Sequence, residues 1–247
     1  MVSKEIWKKF RRAVRDYRLI SKGDRIGVCI SGGKDSTLLA VCMKQLQREI
    51  DFHAEFIVMN PGYSEINLDI IRHNMEQLEI PVEISKTNIF SSVKKEKNPC
   101  FLCSRLRRGW LYRNAQEKGL NKIALGHHFD DAVETILMGM LYGSQMQAML
   151  PKLKAEHYPV EVIRPLYRVR ESDIKEWADE NNMQFIQCEC GLENNSSKRA
   201  EVKEILEYLR EKNPDVDMNI FRSAENVNLK RLVSYHIGDE YHSFLDE

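Results

Sequence analysis

An apolar run, Arg25-Ile-Gly-Val-Cys-Ile30, leads without a break into Ser31-Gly-Gly-Lys-Asp-Ser36 and then into a helix-like stretch from about Ser36 to Arg48. A short apolar run bounded by glycines reads as a buried strand. Gly32 and Gly33 let the backbone turn sharply and turn its N–H groups outward. The helix that follows contributes the positive end of its dipole, so the turn is a nest for an anion. Ser31 and Ser36 add hydroxyl donors, Lys34 adds a charge, and Asp35 is placed to hold Mg²⁺ or to cap the helix. The plain alternative is a glycine turn capped by Asp or Ser. A Walker A loop is excluded, because counting from Gly27 puts Gly33, not Lys, after Gly32.

The same beat repeats along the chain. Residues 52–60 (FHAEFIVMN) form a strand ending at Asn60, 65–80 a helix, and 81–85 (PVEIS) a strand. A helix from about Ser104 to Lys118, a strand from Lys122 to Gly126 and a helix from Asp130 to Leu141 follow. This alternation predicts a parallel, doubly wound α/β sheet. Ser3 is placed to cap an additional helix to about Ile20, with Ile6, Phe10, Ala13, Val14 and Tyr17 on one face. Beyond Pro151 the pattern loosens into a strand in residues 160–166, a helix in 171–182, a cysteine-bearing loop in 185–191 and a long helix in 196–214. The expected domains are a basic N-terminal helix (1–22), an α/β nucleotide-binding domain (23–190) and a helical C-terminal extension (191–247).

Composition allows a core, with 43% hydrophobic residues, and no stretch is long and apolar enough to span a bilayer. The charged N-terminus lacks the apolar segment of a signal peptide, so a cytoplasmic location is expected. Net charge is zero, yet residues 1–25 carry nine Lys/Arg against three acids and residues 92–118 carry eight against two. Two basic patches suit a polyanionic partner.

Six cysteines are present: Cys29, Cys42, Cys100, Cys103, Cys188 and Cys190. Cys100 and Cys103 form a C-x-x-C, open on spacing alone to a zinc half-site, a redox pair or an Fe–S half-site. Cys188 and Cys190 follow after a long interval, which narrows the redox option. Four thiolates would close a structural zinc site, whereas three would leave one iron of a [4Fe-4S] cluster open. Cys29 and Cys42 read as small core residues. Arg105, Arg107, Arg108 and Arg113 follow the C-x-x-C, as RNA-phosphate contacts or as a solvated helix face. Arg164, at a strand end, faces the ligand crevice or simply ends the strand. Asn60 taken alone is a turn residue, and neither His127 nor His128 is given a catalytic role.

Ser31–Ser36 resembles the PP-loop of the ATP pyrophosphatase superfamily, whose fold is Rossmann-type and HUP-like. The superfamily's second signature is matched by Gly126-His-His-Phe-Asp-Asp131, with Glu134 and Thr135 one turn on. The run from Cys103 to Gly143, together with residues 162–178, the cysteine before Gly191 and residues 219–227, resembles the tRNA 2-thiocytidine synthetase family over about residues 22–235. The resemblance implies ATP on Ser31, Gly32, Gly33, Lys34, Asp35, Ser36, Asn60 and Gly126, with Mg²⁺ nearby. It also implies a [4Fe-4S] cluster on Cys100, Cys103 and Cys190. Asp131, Asp35 and Arg107 are the expected catalytic residues, with Arg105, Arg108, Arg113 and Arg164 on tRNA.

The implied reaction adenylates C2 of an anticodon-loop cytidine and replaces its oxygen with sulfur. Hydrosulfide, or sulfur from a cysteine desulfurase, would be the donor, and a homodimer is expected by analogy. The sequence departs from the family at Cys188-Glu-Cys190-Gly191, where the family has C-x-x-C-G. Two rivals follow from the same residues: another PP-loop tRNA ligase with a structural zinc, and a sensor that binds nucleotide and RNA without turnover.

Overall fold

The computed structural model describes residues 2–94, 96, 99–186 and 198–245, with the side chain of Cys100 left out. The described chain divides into two compact units, Met1–Ala132 with Leu150–Asn195, and Val133–Met149 with Ser196–Glu247.

The first unit is built on a six-stranded sheet ordered β3-β2-β1-β4-β6-β5. Its strands are β1 (Arg25–Ile30), β2 (His53–Asn60), β3 (Glu83–Lys86), β4 (Lys122–Ala124), β5 (Lys152–Lys154) and β6 (Glu161–Ile163). All neighbouring pairs are parallel except β5 with β6. Crossover helices join them: α2 (Lys34–Leu46), α3 (Glu65–Gln77), α4 (Ile89–Val93) and α5 (Pro99–Glu117). The predicted doubly wound sheet is therefore present, with β5 as an antiparallel edge that the sequence reading did not contain. The order reverses between β1 and β4, and ligands in such sheets bind at that reversal, outside the carboxyl ends of the strands.

Alternation along the strands sorts the core into two layers. Ile26, Val28, Ile30, Phe56 and Val58 face α1 (Lys4–Asp16), α2 and α7 (Glu171–Glu180). Ile57, Ile123 and Val162 face α5 through Ala115, with Leu120 from the turn after it. α1 has its expected cap, Ser3 Oγ accepting from the Ile6 amide at 3.3 Å, and buries Ile6, Phe10, Ala13 and Val14. It stops at Asp16, short of Ile20, because Arg18 turns left-handed at φ 48° while Leu19 and Ile20 still enter the core.

α6 (Phe129–Gly143) runs across the division of the chain. In the second unit, α8 (Lys198–Lys212) buries Val202 and Leu206, and α9 (Val216–Ser223) buries Phe221. Arg210 pairs with buried Asp217 at 2.9 Å. Glu134, at 3% exposure, lies 3.4 Å from Arg199 and 3.6 Å from Lys203. A hairpin, β7 (Ser234–Ile237) with β8 (Glu240–Ser243), adds β structure to a region expected to be helical.

Candidate active site

At the reversal of strand order, the Ser31–Ser36 turn closes on itself. Gly32 takes φ +84°, a left-handed conformation that favours glycine. Ser36 Oγ accepts from the Ser31 amide (3.1 Å) and the Ser31 hydroxyl (3.2 Å), and donates to the Gly33 carbonyl (3.0 Å). The Thr37 hydroxyl donates to the same carbonyl at 3.1 Å. The first-turn N–H groups of α2 have no acceptor within the helix, which leaves a rigid loop presenting amide donors.

Lys34 leans away from this loop. Its Nζ lies 3.0 Å from Glu171 at the start of α7 and 3.2 Å from Asp35. Burial works against its charge, but the Asp35 and Glu171 carboxylates outweigh burial and hold the ammonium above its ordinary range.

The second wall comes from the turn after β4. Gly126 packs its backbone against the first turn of α2, where an added Cβ would stand 2.9 Å from the Ser36 nitrogen. Asp131 Oδ2 accepts from the His128 amide at 3.0 Å, and Asp130 Oδ2 from the Glu171 amide at 2.7 Å, tying the starts of α6 and α7 together. His128 is buried among three carboxylates: its Nε2 is 3.5 Å from Asp131 and 3.8 Å from Asp35, and its Nδ1 is 3.7 Å from Asp130.

Asp35 Oδ1 is buried with the Lys34 ammonium 3.2 Å away as an ion-pair partner and no well-aligned hydrogen bond among the described residues, and Asp35 and Asp131 line the same cleft. Among the described residues no three His, Cys, Asp or Glu side chains converge to hold a metal by themselves. Two carboxylates that leave the remaining positions to phosphate and water suit Mg²⁺, whose sites are usually completed that way.

The cleft, about 400 Å³, has α5 as its third wall through Ser104, Arg107, Arg108 and Leu111. This helix begins at Pro99, so the C-x-x-C occupies its first turn rather than the loop before a helix starting at Ser104. Three residues apart on a helix, Cys100 and Cys103 share a face. Cys103 is buried beside Met59, Ile89, Phe90 and Val93, and Met59 also lines the cleft. A C-x-x-C in the first turn of a helix whose next residue, Ser104, lines the cleft is a donor spacing that fits an Fe–S group. Cys188 and Cys190 lie outside the described residues. Ile186, just ahead of them, donates its amide to the Gly32 carbonyl at 3.3 Å.

The remaining candidates are distributed as follows. Arg105, Arg108 and Arg113 line a neighbouring groove, and Arg108 borders both spaces. Arg164 donates Nη1 to the Leu150 carbonyl, and burial holds its guanidinium below its ordinary range. Asn60 Oδ1 accepts from the amides of Gly62 (2.8 Å) and Tyr63 (2.6 Å), fixing a turn. The Tyr63 hydroxyl then donates to the Ser31 carbonyl at 3.2 Å, a tie across the loop that sequence reasoning missed along with Glu171.

Cys42 is fully buried as expected, but Cys29 is not sealed in the core. It is half-buried and lines the cleft, its thiol pushed up to about 12 by burial, with Arg107 pulling the other way.

Among the described residues no helix is long and apolar enough to cross a membrane. The PP-loop domain family matches residues 2–207. The chain is 38% identical to the tRNA-cytidine(32) 2-sulfurtransferase of Acaryochloris marina, across 94% of this chain and 84% of that protein. It is 36% identical to the protein of that name from Coxiella burnetii, across 96% and 94%. In fold it is similar to the U34-tRNA thiolase NcsA from Methanococcus maripaludis, solved with its [4Fe-4S] cluster, at TM-score 0.74 and 24% identity over 90% of this chain and 77% of that one. With its loop, second signature and cysteine helix gathered at one sheet edge, the chain belongs to the PP-loop family and, within it, to the tRNA-cytidine(32) 2-sulfurtransferases.

Proposed function

We propose that the protein is an ATP-dependent tRNA sulfurtransferase that converts an anticodon-loop cytidine to 2-thiocytidine. The reading rests on one observation: Ser31, Asp35 and Ser36, then Gly126 and Asp131, then Arg107 and Arg108 wall a single cleft.

ATP would lie with its phosphates on the Ser31–Ser36 amides, and Asp35 and Asp131 would hold Mg²⁺, which when bound supplies positive charge to neutralise the phosphates. The C2 oxygen of the cytidine attacks the α-phosphorus, the bond to the β-phosphate oxygen breaks, and pyrophosphate leaves. Fixed amide dipoles and carboxylate-held charge suit this step, which needs chiefly positioning and neutralisation. Arg107 polarises the base, and AMP has become the leaving group at C2. A hydrosulfide sulfur then forms a bond to C2, AMP departs with the C–O electron pair, and loss of the thiol proton leaves the thiocarbonyl.

Cys100, Cys103 and Cys190 would hold the [4Fe-4S] cluster, which when bound supplies an iron position open to sulfide. The sulfur comes as hydrosulfide or from a cysteine desulfurase, and the working form is a homodimer. The α/β domain of residues 23–190 carries the reaction, flanked by the basic helix of 1–22 and the extension of 191–247.

The test uses anaerobically purified full-length protein, tRNA and ATP. Pyrophosphate release that requires tRNA, and 2-thiocytidine in the digested tRNA, are expected. Cys100→Ser and Cys103→Ser should lose iron, colour and thiolation while still releasing pyrophosphate. Retained thiolation in either variant would remove the cluster from the reaction, and zinc with no iron would favour the structural-metal rival. No tRNA-dependent pyrophosphate release would remove the enzyme reading itself.

A further inference from the structure

A second concavity, of about 720 Å³, runs beside the cleft between α5 and the β5–β6 hairpin. Its helix wall carries Arg105, Arg108 and Arg113, and its hairpin wall carries Lys154. None of these four takes part in an ion pair among the described residues, and a single acid, Glu156, opposes them. Arg105 to Arg113 spans about 12 Å of helix at a rise of ~1.5 Å per residue. Between the cations, Tyr112 and Tyr158 meet across the groove with ring centroids 5.6 Å apart and planes tilted by 53°. Unpaired cations interleaved with aromatic rings are the chemistry that holds single-stranded nucleic acid, phosphates on the cations and bases on the rings. Arg108 lines this groove and the cleft alike, so the two spaces adjoin at that residue.

The other strongly basic concavity, on α1, fits this role less well. Arg11 is paired with Glu49, and Arg12 and Arg15 with Asp16. It borders Leu46 and Ile50, past the far end of α2 from the Ser31–Ser36 loop.

We infer that the α5–hairpin groove is the track for the single-stranded anticodon-loop nucleotides flanking the target base, which enters the cleft at Arg108. The inference rests on the thiolation reading above and adds to it the path of the RNA. The β5–β6 hairpin thereby acquires a role as the outer lip of the track. Phosphates bind Arg105, Arg113 and Lys154, and a flanking base inserts against the Tyr112–Tyr158 pair.

The test uses the full chain with an anticodon stem-loop RNA, read by fluorescence anisotropy. Tyr158→Ala should weaken stem-loop binding about tenfold, the usual size of a lost base-stacking contact. Lys154→Glu should weaken it similarly and make the slope of log affinity against log salt shallower by about one unit. ATP affinity measured without RNA should stay within about twofold in both variants, which reports that the fold is intact. A cross-link needing no substitution complements this: a stem-loop with 4-thiouridine beside the target cytidine should attach to peptides within residues 105–113 or 152–160. Unchanged stem-loop affinity in both variants, or adducts confined to other peptides such as α1, would overturn the track. Those results would leave the thiolation reading standing if tRNA-dependent pyrophosphate release persists, and absence of that release identifies failure of the reading itself.

Discussion

Gly126 and Ser36 are in backbone contact: a Cβ on Gly126 would lie 2.9 Å from the Ser36 nitrogen and 3.1 Å from its Cα. The turn after β4 and the first turn of α2 thus approach more closely than any side chain permits. Backbone atoms cannot swing aside as a side-chain end can. Gly126→Ala should force the two turns apart, costing about 1–3 kcal/mol of stability and roughly tenfold in ATP affinity. Urea unfolding and nucleotide titration measure the two effects. Wild-type values for both would show that the contact relaxes freely.

The buried pair Asp24–Lys122 carries a pH signature. Lys122 Nζ is 2.6 Å from Asp24 Oδ2, and Asn121 and the Ser21 amide also donate to the carboxylate. Burial opposes ionisation of Asp24, but these hydrogen bonds outweigh it and hold its pKa below the ordinary value. A carboxyl depressed on folding stabilises the fold above its unfolded pKa, and that contribution is lost as pH falls through the folded one. Stability should therefore drop below about pH 4. Asp24→Asn should cost about 1–3 kcal/mol near neutral pH, since among the described residues Lys122 keeps only the Leu19 carbonyl and the more distant Glu161 at 3.8 Å, and adding Lys122→Met should recover most of it. Urea unfolding across this pH range decides both.

Cys29 borders the cleft yet stays protonated, since its thiol is pushed up to about 12. Near pH 8 it should react with iodoacetamide at least ~100-fold more slowly than a free cysteine, as followed by peptide mass spectrometry. Cys29→Ala should keep thiolation within about threefold, because the reaction makes no use of this thiol. Rapid alkylation in the folded protein would contradict the burial argument.

Lys34 is claimed by Glu171 before any nucleotide arrives. Phosphates must win the ammonium from that carboxylate, so Glu171→Gln should tighten ATP binding about two- to fivefold at low salt, and Lys34→Met should weaken it about tenfold. Isothermal titration of each variant checks the pair. An unchanged affinity for Lys34→Met would make the lysine a strap between α2 and α7.

The glycine-loop half of the candidate cleft was legible because its signals are local. An apolar strand, two glycines and a helix start within twelve residues fix where the loop stands, and the same logic places Gly126 and Asp131 after β4. Edge elements were not legible. β5 is three residues, Lys-Leu-Lys, with the charge that edge strands use against aggregation. The β7–β8 hairpin is polar, although Gly238 at its turn, φ +62°, carried a usable signal. α5 starts five residues ahead of Ser104, at Pro99, a residue type suited to a first helical position. Contacts such as Tyr63 to Ser31 and Lys34 to Glu171 join residues far apart in sequence, and no periodicity encodes them.

Because α5 is one unbroken helix from Pro99 to Glu117, its thiols and arginines turn together like teeth cut on a single shaft. Each residue advances the shaft by about 100°, so removing one residue between Cys103 and Arg107 would swing Arg107 and Arg108 about a quarter turn relative to Cys103 without altering their chemistry. Spacing along this helix is thereby as constrained as residue identity, and lineages that lengthen or shorten it should do so only beyond Arg113.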